Sequence, residues 1–154
     1  VIGNVEHERV VQLSDLFEFV DQLPDHEVND LDLRIIATQI LADGRFHRLL
    51  VDPAGQMVAY LFCAWQYLDL HVLKVAVQPP HRRRRLATRM MVLAEDHAAE
   101  MGGRSLILEV RPSNAPALAF YEALEYRPGG IRSKYYQDGE DAIIMAKRVA
   151  NSEF

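Results

Sequence analysis

The sequence predicts a single α/β domain, residues 1–154, with a mixed, mostly antiparallel sheet of about seven strands and about four helices. Two observations carry this prediction. Residues 46–78 contain three short apolar segments separated by turns, which is typical of an antiparallel meander. After Pro79 and Pro80 the apolar residues change to helical spacing, and helices and strands then alternate. A length of 154 residues and a hydrophobic content of 49% suit one domain with its own core.

The first part of the chain predicts one strand and two helices. A Val-Val pair at 10–11 predicts a short strand. A helix is expected over residues 14–23, because this segment opens on a serine, a preferred N-cap, and is followed by a proline. A second helix is expected over residues 29–44, from an asparagine cap to a glycine stop, because its apolar residues share one helical face. Those apolar residues are Leu31, Ile35, Ile36, Ile40 and Leu41.

The central meander is predicted from three strands over residues 46–51, 57–65 and 69–78. Residues 52–55, Asp-Pro-Ala-Gly, join the first two strands and place proline and glycine where a turn prefers them. The meander therefore supplies three adjacent strands, and its last strand leads into the second half of the chain.

A long helix is predicted after the two prolines. Its apolar residues recur at spacings of four, three, four and four, which keeps them on one face. A Gly-Gly pair at 102–103 ends the helix. The residues of this stripe are Leu86, Met90, Leu93, His97 and Met101, and Ala87, Met91, Ala94 and Ala98 widen it.

Three more strands and one helix complete the predicted fold. A strand is expected over residues 105–110, and the helix after it is capped by Ser113 or Asn114. Residues 126–136 and 142–149 predict two strands around an Asp-Gly turn. The alternation of strands and helices gives the α/β class stated above.

Composition excludes several classes of protein. No stretch approaches roughly 18 consecutive apolar residues, so a membrane-spanning helix is not expected, and the first ten residues lack the pattern of a secretory signal. Cys63 is the only cysteine, which rules out an internal disulfide and favours a reducing, cytoplasmic compartment. We expect the Cys63 side chain to be buried as a small apolar group. The six histidines show no metal-binding spacing, so no metal is expected. A net charge of −5 does not favour general binding to nucleic acid.

A run of arginines interrupts this acidic chain. Four fill positions 82–85 and a fifth is Arg89. They lie at the predicted start of the long helix, where unpaired backbone N–H groups and a partial charge of about +0.5 favour an anion. The run therefore predicts a phosphate site. A solvated basic face and a nucleic-acid patch remain alternatives, although no aromatic residues interleave the arginines.

One block of the sequence resembles a cofactor signature. Residues 75–87, VAVQPPHRRRRLA, resemble the acetyl-CoA signature of the GNAT family of N-acetyltransferases, Arg/Gln-x-x-Gly-x-Gly/Ala, which stands between a strand and a helix. Arg82 matches its first position and Ala87 its last. Arg85 stands in place of the central glycine of the signature, and Glu125 replaces a later glycine that is usual in the family.

Two later blocks are similar to one branch of that family. Residues 108–126, LEVRPSNAPALAFYEALEY, and residues 134–145, KYYQDGEDAIIM, look like segments of the RimI-like enzymes. Those enzymes acetylate ribosomal-protein alanines, and their relatives acetylate protein N-termini. The twelve-residue spacing of Glu109 and Tyr121 is that of this branch. The resemblance covers residues 46–149.

The resemblance implies acetyl-CoA as the acetyl donor, with no metal and no covalent enzyme intermediate. It implies that a bulged strand exposes the N–H groups of residues 75–77 to the thioester carbonyl and to pantetheine. Amides of residues 83–88 would hold the pyrophosphate. The implied cofactor-binding residues are Val75, Ala76, Val77, Arg82, Arg83, Arg84, Arg85, Leu86, Ala87, Thr88 and Asn114.

The same resemblance implies the catalytic groups and the acceptor. Glu109 would take a proton from the incoming amine through a water, and Tyr121 would protonate the departing CoA thiolate. Tyr135 and Tyr136 would line the slot for the N-terminus of a protein or peptide. A small-subunit ribosomal protein is the leading candidate for the acceptor, and neither a membrane nor a direct nucleic-acid contact is expected.

Other interpretations of these residues stay open. Glu109 could be an exposed strand carboxylate and Tyr121 a core tyrosine, while Tyr135 and Tyr136 could lie on the two faces of a strand. The carboxylates of residues 138–141 could receive a basic second residue of a peptide. The protein could also acetylate a small-molecule amine, or bind acyl-CoA without catalysis.

Overall fold

The computed structural model describes residues 26–28, 33–38 and 45–150, so the strand predicted at 10–11 and the helix predicted at 14–23 lie outside the described residues. Within the described residues the chain forms one eight-stranded sheet, two α-helices and one turn of 3-10 helix. The strands are β1 (His26–Val28), β2 (Leu33–Thr38), β3 (Arg45–Val51), β4 (Met57–Gln66), β5 (Asp69–Val77), β6 (Ser105–Val110), β7 (Arg127–Arg132) and β8 (Ala142–Arg148). The helices are α1 (Leu86–Glu100) and α2 (Ala115–Ala123), and the 3-10 turn is Pro79–His81.

The sheet has the strand order β1-β2-β3-β4-β5-β6-β8-β7. The first five strands are antiparallel neighbours in sequence order. β6 pairs parallel with β5 and antiparallel with β8, and β7 pairs antiparallel with β8 at the edge. The fold is therefore α/β with a mixed, mostly antiparallel sheet, which confirms the predicted class. The eight described strands exceed the predicted count of about seven.

The helix predicted over residues 29–44 is wrong for residues 33–38, which form β2 and pair antiparallel with β3. In this pairing Ile35 lies opposite Leu50. The segment contains three β-branched residues, whose stiff χ1 angles favour a strand. A short apolar run fits a helix or a strand by periodicity alone, so the backbone partners that β3 offers decide the outcome.

The central elements agree with the prediction. β3, β4 and β5 form the antiparallel meander, and Gly55 has a φ of +80° in the turn between β3 and β4. β6 has the predicted bounds. Asn114, rather than Ser113, caps α2, because its side-chain oxygen accepts a hydrogen bond from the backbone N–H of Ala117 at 3.2 Å.

The main core lies between the sheet and α1. The buried residues of α1 all belong to the predicted stripe or to the residues that widen it. One edge of the stripe is less buried: Leu93 and His97 are half-buried, and Met101 lies past the helix end and is 65% exposed. Cys63 is buried in this core, as expected, and burial raises the pKa of its thiol to about 12. Small side chains on the buried face let the helix approach the sheet closely. The buried residues of α1 are Leu86, Met90, Met91, Ala94 and Ala98.

β5 and β6 stay together over only three residue pairs, the last of which places His71 opposite Ile107. Both strands continue, but no described strand fills the space between them beyond this fork. A bulge at Leu73 shifts the register of β5 against β4. Because a bulge bends its strand, β5 turns away from β6 here. The bulge implied for residues 75–77 therefore falls two residues earlier.

The strand predicted over residues 126–136 stops at the end of β7. Residues 133–141 form the β7–β8 loop, so the interpretation of its two tyrosines as strand residues is wrong. Lys134 has a φ of +50°, and its N–H donates to the carboxylate of Asp141 at 2.8 Å instead of to a strand. The Asp-Gly turn is present, with a φ of +86° at its glycine. This loop carries Tyr135, Tyr136, Asp138, Gly139 and Glu140.

α2 ends in a Schellman motif. The N–H of Tyr126 donates to the carbonyl of Tyr121 at 3.0 Å, and the N–H of Glu125 donates to the carbonyl of Glu122 at 3.0 Å. This motif puts Glu125 in the left-handed region, with a φ of +70°. A side chain is strained in that region and glycine is not, so Glu125 stores local backbone strain.

We expect Glu125→Gly to raise the free energy of unfolding by about 1 kcal/mol, because glycine adopts the left-handed conformation at a helix end without strain. Gly102→Ala is the matched control in the opposite direction. Gly102 has a φ of +72° at the end of α1, and an added Cβ would meet nothing within 4 Å, so backbone strain alone should lower stability. Urea denaturation measures both variants. An unfolding free energy that is unchanged or lowered in Glu125→Gly contradicts this account.

Candidate active site

A cavity of about 580 Å³ lies between the end of β5, the start of α1 and the helix α2. Its volume is in the range of pockets that bind small molecules and cofactors. Most of the predicted cofactor residues line it, but Arg84 and Asn114 do not. The predicted cofactor residues in the lining are Val75, Ala76, Val77, Arg82, Arg83, Arg85, Leu86, Ala87 and Thr88. The other lining residues are His81, Pro116, Ala117, Phe120 and Tyr121.

The backbone at the start of α1 presents N–H groups to this cavity. The first bond of the helix runs from the N–H of Arg89 to the carbonyl of Arg85 at 3.1 Å. The amides of residues 86–88 precede that bond, so they have no partner within the helix. Arg85 and Arg83 have φ values of +57° and +61°, and no side chain caps the helix. Left-handed residues in such a turn group successive N–H groups into a concave anion site. This site, formed by the amides of residues 86–88, is called the cradle.

Guanidinium groups add positive charge to this cradle. Arg82, Arg83 and Arg85 all line the cavity, next to the partial charge of about +0.5 at the helix start. Arg84 does not line the cavity, although its Nη1 donates at 2.9 Å to Nδ1 of His81, which does. Three of the four consecutive arginines therefore line the cavity, and the arrangement suits an anionic group such as a pyrophosphate.

Glu109 is buried at the fork between β5 and β6. Its Oε2 lies 2.5 Å from Nε2 of His71, and the two side chains are 6% and 8% exposed. Nε of Arg132 lies 3.1 Å from the other carboxylate oxygen. The interpretation of Glu109 as an exposed strand carboxylate is therefore wrong. Glu109 is a buried carboxylate held between an imidazole and a guanidinium.

His71 and Arg132 were not identifiable from the sequence as parts of this site. His71 lies 38 positions from Glu109, inside an apolar strand, and nothing in its neighbours signals a carboxylate partner. Arg132 lies on β7, which β8 separates from the strand β6 that carries Glu109, so the Arg132 side chain spans β8 to reach the carboxylate. Only the strand order brings these three side chains together.

Tyr121 brings a phenol to the wall of the cavity. It lies on α2 and lines the cavity. Burial, and to a smaller extent the neighbouring Tyr136, raises the pKa of its phenol above the usual value. The phenol therefore keeps its proton at neutral pH and can donate it.

Tyr136 has electrostatic interactions with both Tyr121 and Glu109. Burial raises the pKa of Tyr136, and Tyr135 and Glu109 raise it further while Arg111 lowers it. The ring of Tyr135 packs edge-on against Tyr136 at 5.0 Å and is half exposed. Glu109, Tyr135 and Tyr136 are absent from the lining of the cavity. Tyr136 therefore interacts electrostatically with Tyr121, which lines the cavity, and with Glu109, which does not.

The described residues contain neither a candidate metal site nor a membrane-spanning helix. Among residues 26–28, 33–38 and 45–150, no three His, Cys, Asp or Glu side chains are grouped so that they could hold a metal ion. Over the same residues, no helix has the length and apolar character needed to cross a membrane.

Comparison with known proteins identifies close similarities. The model of the acetyltransferase (GNAT) family matches residues 11–126. The [ribosomal protein bS18]-alanine N-acetyltransferase of Escherichia coli (strain K12) is 38% identical over 105 residues, which cover 66% of this chain and 71% of that protein. The catalytic subunit ard1 of the N-terminal acetyltransferase A complex of Schizosaccharomyces pombe is 34% identical over 111 residues, which cover 67% of this chain and 63% of that subunit.

A solved structure agrees with these similarities. The crystal structure of the ribosomal-protein-S18-alanine N-acetyltransferase from Escherichia coli superposes with a TM-score of 0.63 at 32% sequence identity. The match covers 73% of this chain and 77% of that chain. Sequence and fold therefore point to the same group of proteins.

We expect Arg85→Gly to keep the affinity for acetyl-CoA within tenfold of the parent value, or to tighten it. Glycine adopts the φ of +57° at position 85 without strain, and the backbone N–H groups that form the cradle remain. Arg89→Met is the matched control, because it removes one charge from the same run at an exposed position outside the cavity lining. Calorimetric titration compares the variants. A loss greater than tenfold in Arg85→Gly alone would show that the Arg85 side chain carries the contact.

Proposed function

This chain belongs to the acetyltransferase (GNAT) family, and from that premise we propose that it transfers an acetyl group from acetyl-CoA to the N-terminal α-amine of a protein. A small-subunit ribosomal protein is the leading candidate for the acceptor, because similar proteins are named for acetylation of the alanine of bS18. The observations that carry the proposal are the cationic cavity at the start of α1, which Tyr121 lines, and the buried carboxylate of Glu109, which His71 and Arg132 hold. We place the reaction in the cytoplasm, in one domain spanning residues 1–154.

The cradle at the start of α1 fits the pyrophosphate of acetyl-CoA. Amides of residues 86–88 and the guanidinium groups of Arg82, Arg83 and Arg85 supply hydrogen bonds and positive charge at one place. The edge of residues 75–77 that faces the fork is not paired with a described strand. Its N–H groups can therefore bind pantetheine and stabilise the oxyanion that forms at the thioester carbonyl, an effect of about 3–4 kcal/mol in comparable sites.

Glu109 acts as the general base. An α-amine has a pKa of about 7.7–8.0, so a modest base frees its lone pair near neutral pH. His71 fixes the orientation of the carboxylate through their 2.5 Å hydrogen bond, and the amine proton reaches Glu109 through a water. The free lone pair of the amine then attacks the thioester carbonyl directly.

Tyr121 acts as the general acid. Burial keeps its phenol protonated, and the same side chain lines the cavity that holds the donor. Thiols have a pKa of about 8.5, so a CoA thiolate is a tolerable leaving group even without a proton from Tyr121. Tyr121 therefore accelerates a step that can proceed slowly without it.

Tyr135 and Tyr136 line the slot for the acceptor. Both lie in the β7–β8 loop beside Glu109, outside the cofactor cavity, which leaves the cavity to the donor. An acceptor amine that approaches along these two rings reaches the carboxylate without crossing the cradle.

The test is to incubate the protein with acetyl-CoA and an array of N-terminal peptides, and to locate added acetyl groups by mass spectrometry. We expect acetylation at α-amines and none at lysine side chains of N-terminally blocked copies of the same peptides. Acetylation of small amines but of no peptide would instead favour a small-molecule enzyme. Binding of acetyl-CoA without acetylation of any amine would favour a non-catalytic acyl-CoA-binding module.

We expect Glu109→Gln and Tyr121→Phe to reduce kcat/KM in distinguishable ways. Loss of the base should cost about 10²-fold, the low end of the general-base range, with partial recovery as pH rises toward the amine pKa. Loss of the phenol should cost about 10- to 10²-fold, and high pH should not repair it. The pH profile of kcat/KM on an accepted peptide measures both.

Asp96→Asn is the control for this pair of variants. Asp96 lies on α1, is exposed and does not line the cavity. It should leave kcat/KM unchanged, and acetyl-CoA affinity should be little changed in all three variants. Parent rates at every pH in both Glu109→Gln and Tyr121→Phe would remove the two assignments.

A further inference from the structure

Arg111 ties the β7–β8 loop to the end of β6. Its Nη1 lies 2.8 Å from Oδ2 of Asp138 and 2.8 Å from Oε2 of Glu140. Its guanidinium carbon lies 3.8 Å from the centre of the Tyr136 ring, a stacked cation–π contact. One side chain thus contacts three loop residues, including one that we assign to the acceptor slot.

Glu140 extends this contact to the start of α2. Its second oxygen accepts a hydrogen bond from the N–H of Ser113 at 2.9 Å, and Ser113 directly precedes the cap of α2. The backbone carbonyl of Glu140 accepts a hydrogen bond from the N–H of Tyr136 at 3.1 Å, and the carbonyl of Tyr136 accepts one from the N–H of Gly139 at 2.9 Å. The loop that carries Tyr136 and the helix that carries Tyr121 are therefore joined through one carboxylate.

Both carboxylates of this cluster are held by groups within the protein. The N–H of Ser113 and the guanidinium of Arg111 lower the pKa of Glu140 to about 2. The N–H of Glu140 and then Arg111 lower the pKa of Asp138. Both carboxylates therefore stay ionised and bonded to Arg111 across the neutral range. One guanidinium does not balance two carboxylates, so the hypothesis that they receive a basic second residue of a peptide stays a prediction.

We propose that Arg111 is a positioning residue for the acceptor: it holds Tyr136 and the β7–β8 loop in the shape that receives the acceptor N-terminus. This inference rests on the proposed function. Arg111 does not line the cofactor cavity, and nothing ties it to the cradle at the start of α1. Its loss should therefore disturb acceptor binding and leave donor binding intact, which a general loss of stability would not do.

The physical reason is that Arg111 is the cation placed between two carboxylates of one loop. Without it, Asp138 and Glu140 repel each other and Tyr136 loses the face on which its ring stacks. The N–H of Ser113 continues to hold Glu140, so the loop is loosened and not released. Lysine at position 111 keeps one charge, and its nitrogen can pair with a carboxylate as Nη1 of Arg111 does, but it lacks the planar guanidinium that stacks on the Tyr136 ring.

The kinetic test compares Arg111→Met and Arg111→Lys with Arg104→Met. Arg104 lies just before the other end of β6, and its Nη2 pairs with Asp69 at 2.7 Å, so this control breaks a similar ion pair far from the loop. Arg111→Met should raise KM for an accepted peptide about tenfold with KM for acetyl-CoA unchanged within twofold, and Arg111→Lys should fall between. Arg104→Met should change neither constant. The rise should be the same from about pH 6 to pH 9, because the carboxylates stay ionised throughout this range.

Hydrogen exchange tests the same inference without turnover. The amides of Tyr136 and Gly139 are bonded within the loop, so they should exchange several-fold faster in Arg111→Met and at the parent rate in Arg104→Met. Unchanged exchange in Arg111→Met overturns the inference, as does a parallel rise of both KM values. If no peptide is acetylated by the parent protein, the proposed function fails, while exchange still decides whether Arg111 holds the loop.

Discussion

The early parting of β5 from β6 is the constraint on which the rest of the site depends. These strands form the parallel pair of the described sheet, and only three residue pairs join them, ending at His71 and Ile107. The bulge at Leu73 then bends β5 away. The parting leaves one edge of residues 75–77 without a described strand partner. It also places Glu109, two residues further along β6, where its carboxylate meets His71.

The two sides of the site have opposite electrostatic designs. On the donor side, the unpaired amides at the start of α1 and three arginines concentrate positive charge in a chain whose net charge is −5. Arg83 and Arg85 hold left-handed backbone there, so local strain accompanies the orientation of the N–H groups. On the side that we propose for the acceptor, the charged groups pair with one another. Glu109 is held by His71 and Arg132, and Arg111 pairs with both Asp138 and Glu140, so these groups are fixed in orientation.

Local patterns were sufficient for most elements of the described chain and for one side of the site. Strand period, turn residues and cap residues act over a few neighbouring positions. They correctly predicted the meander, α1 and β6, and they narrowed the cap of α2 to Ser113 or Asn114, of which the structure has Asn114. The cradle could also be predicted from the sequence, because arginines at the start of a helix imply an anion site from adjacent residues alone. Residues 33–38 show the limit of this reasoning: their apolar run fits a helix, and pairing with β3 makes it a strand.

The sequence by itself determined the fold class, α1 with the arginines at its start, and the resemblance that singled out Glu109 and Tyr121. Tertiary structure alone decided which side chains meet those two residues. β6 pairs with β5 on one side and β8 on the other, and β7 lies beyond β8, so segments far apart in the chain converge at one end of the sheet. Such contacts depend on strand order and on where strands separate, and no local pattern encodes either. The partners decided in this way are His71, Arg132, Tyr136 and, through the loop, Arg111 with Glu140.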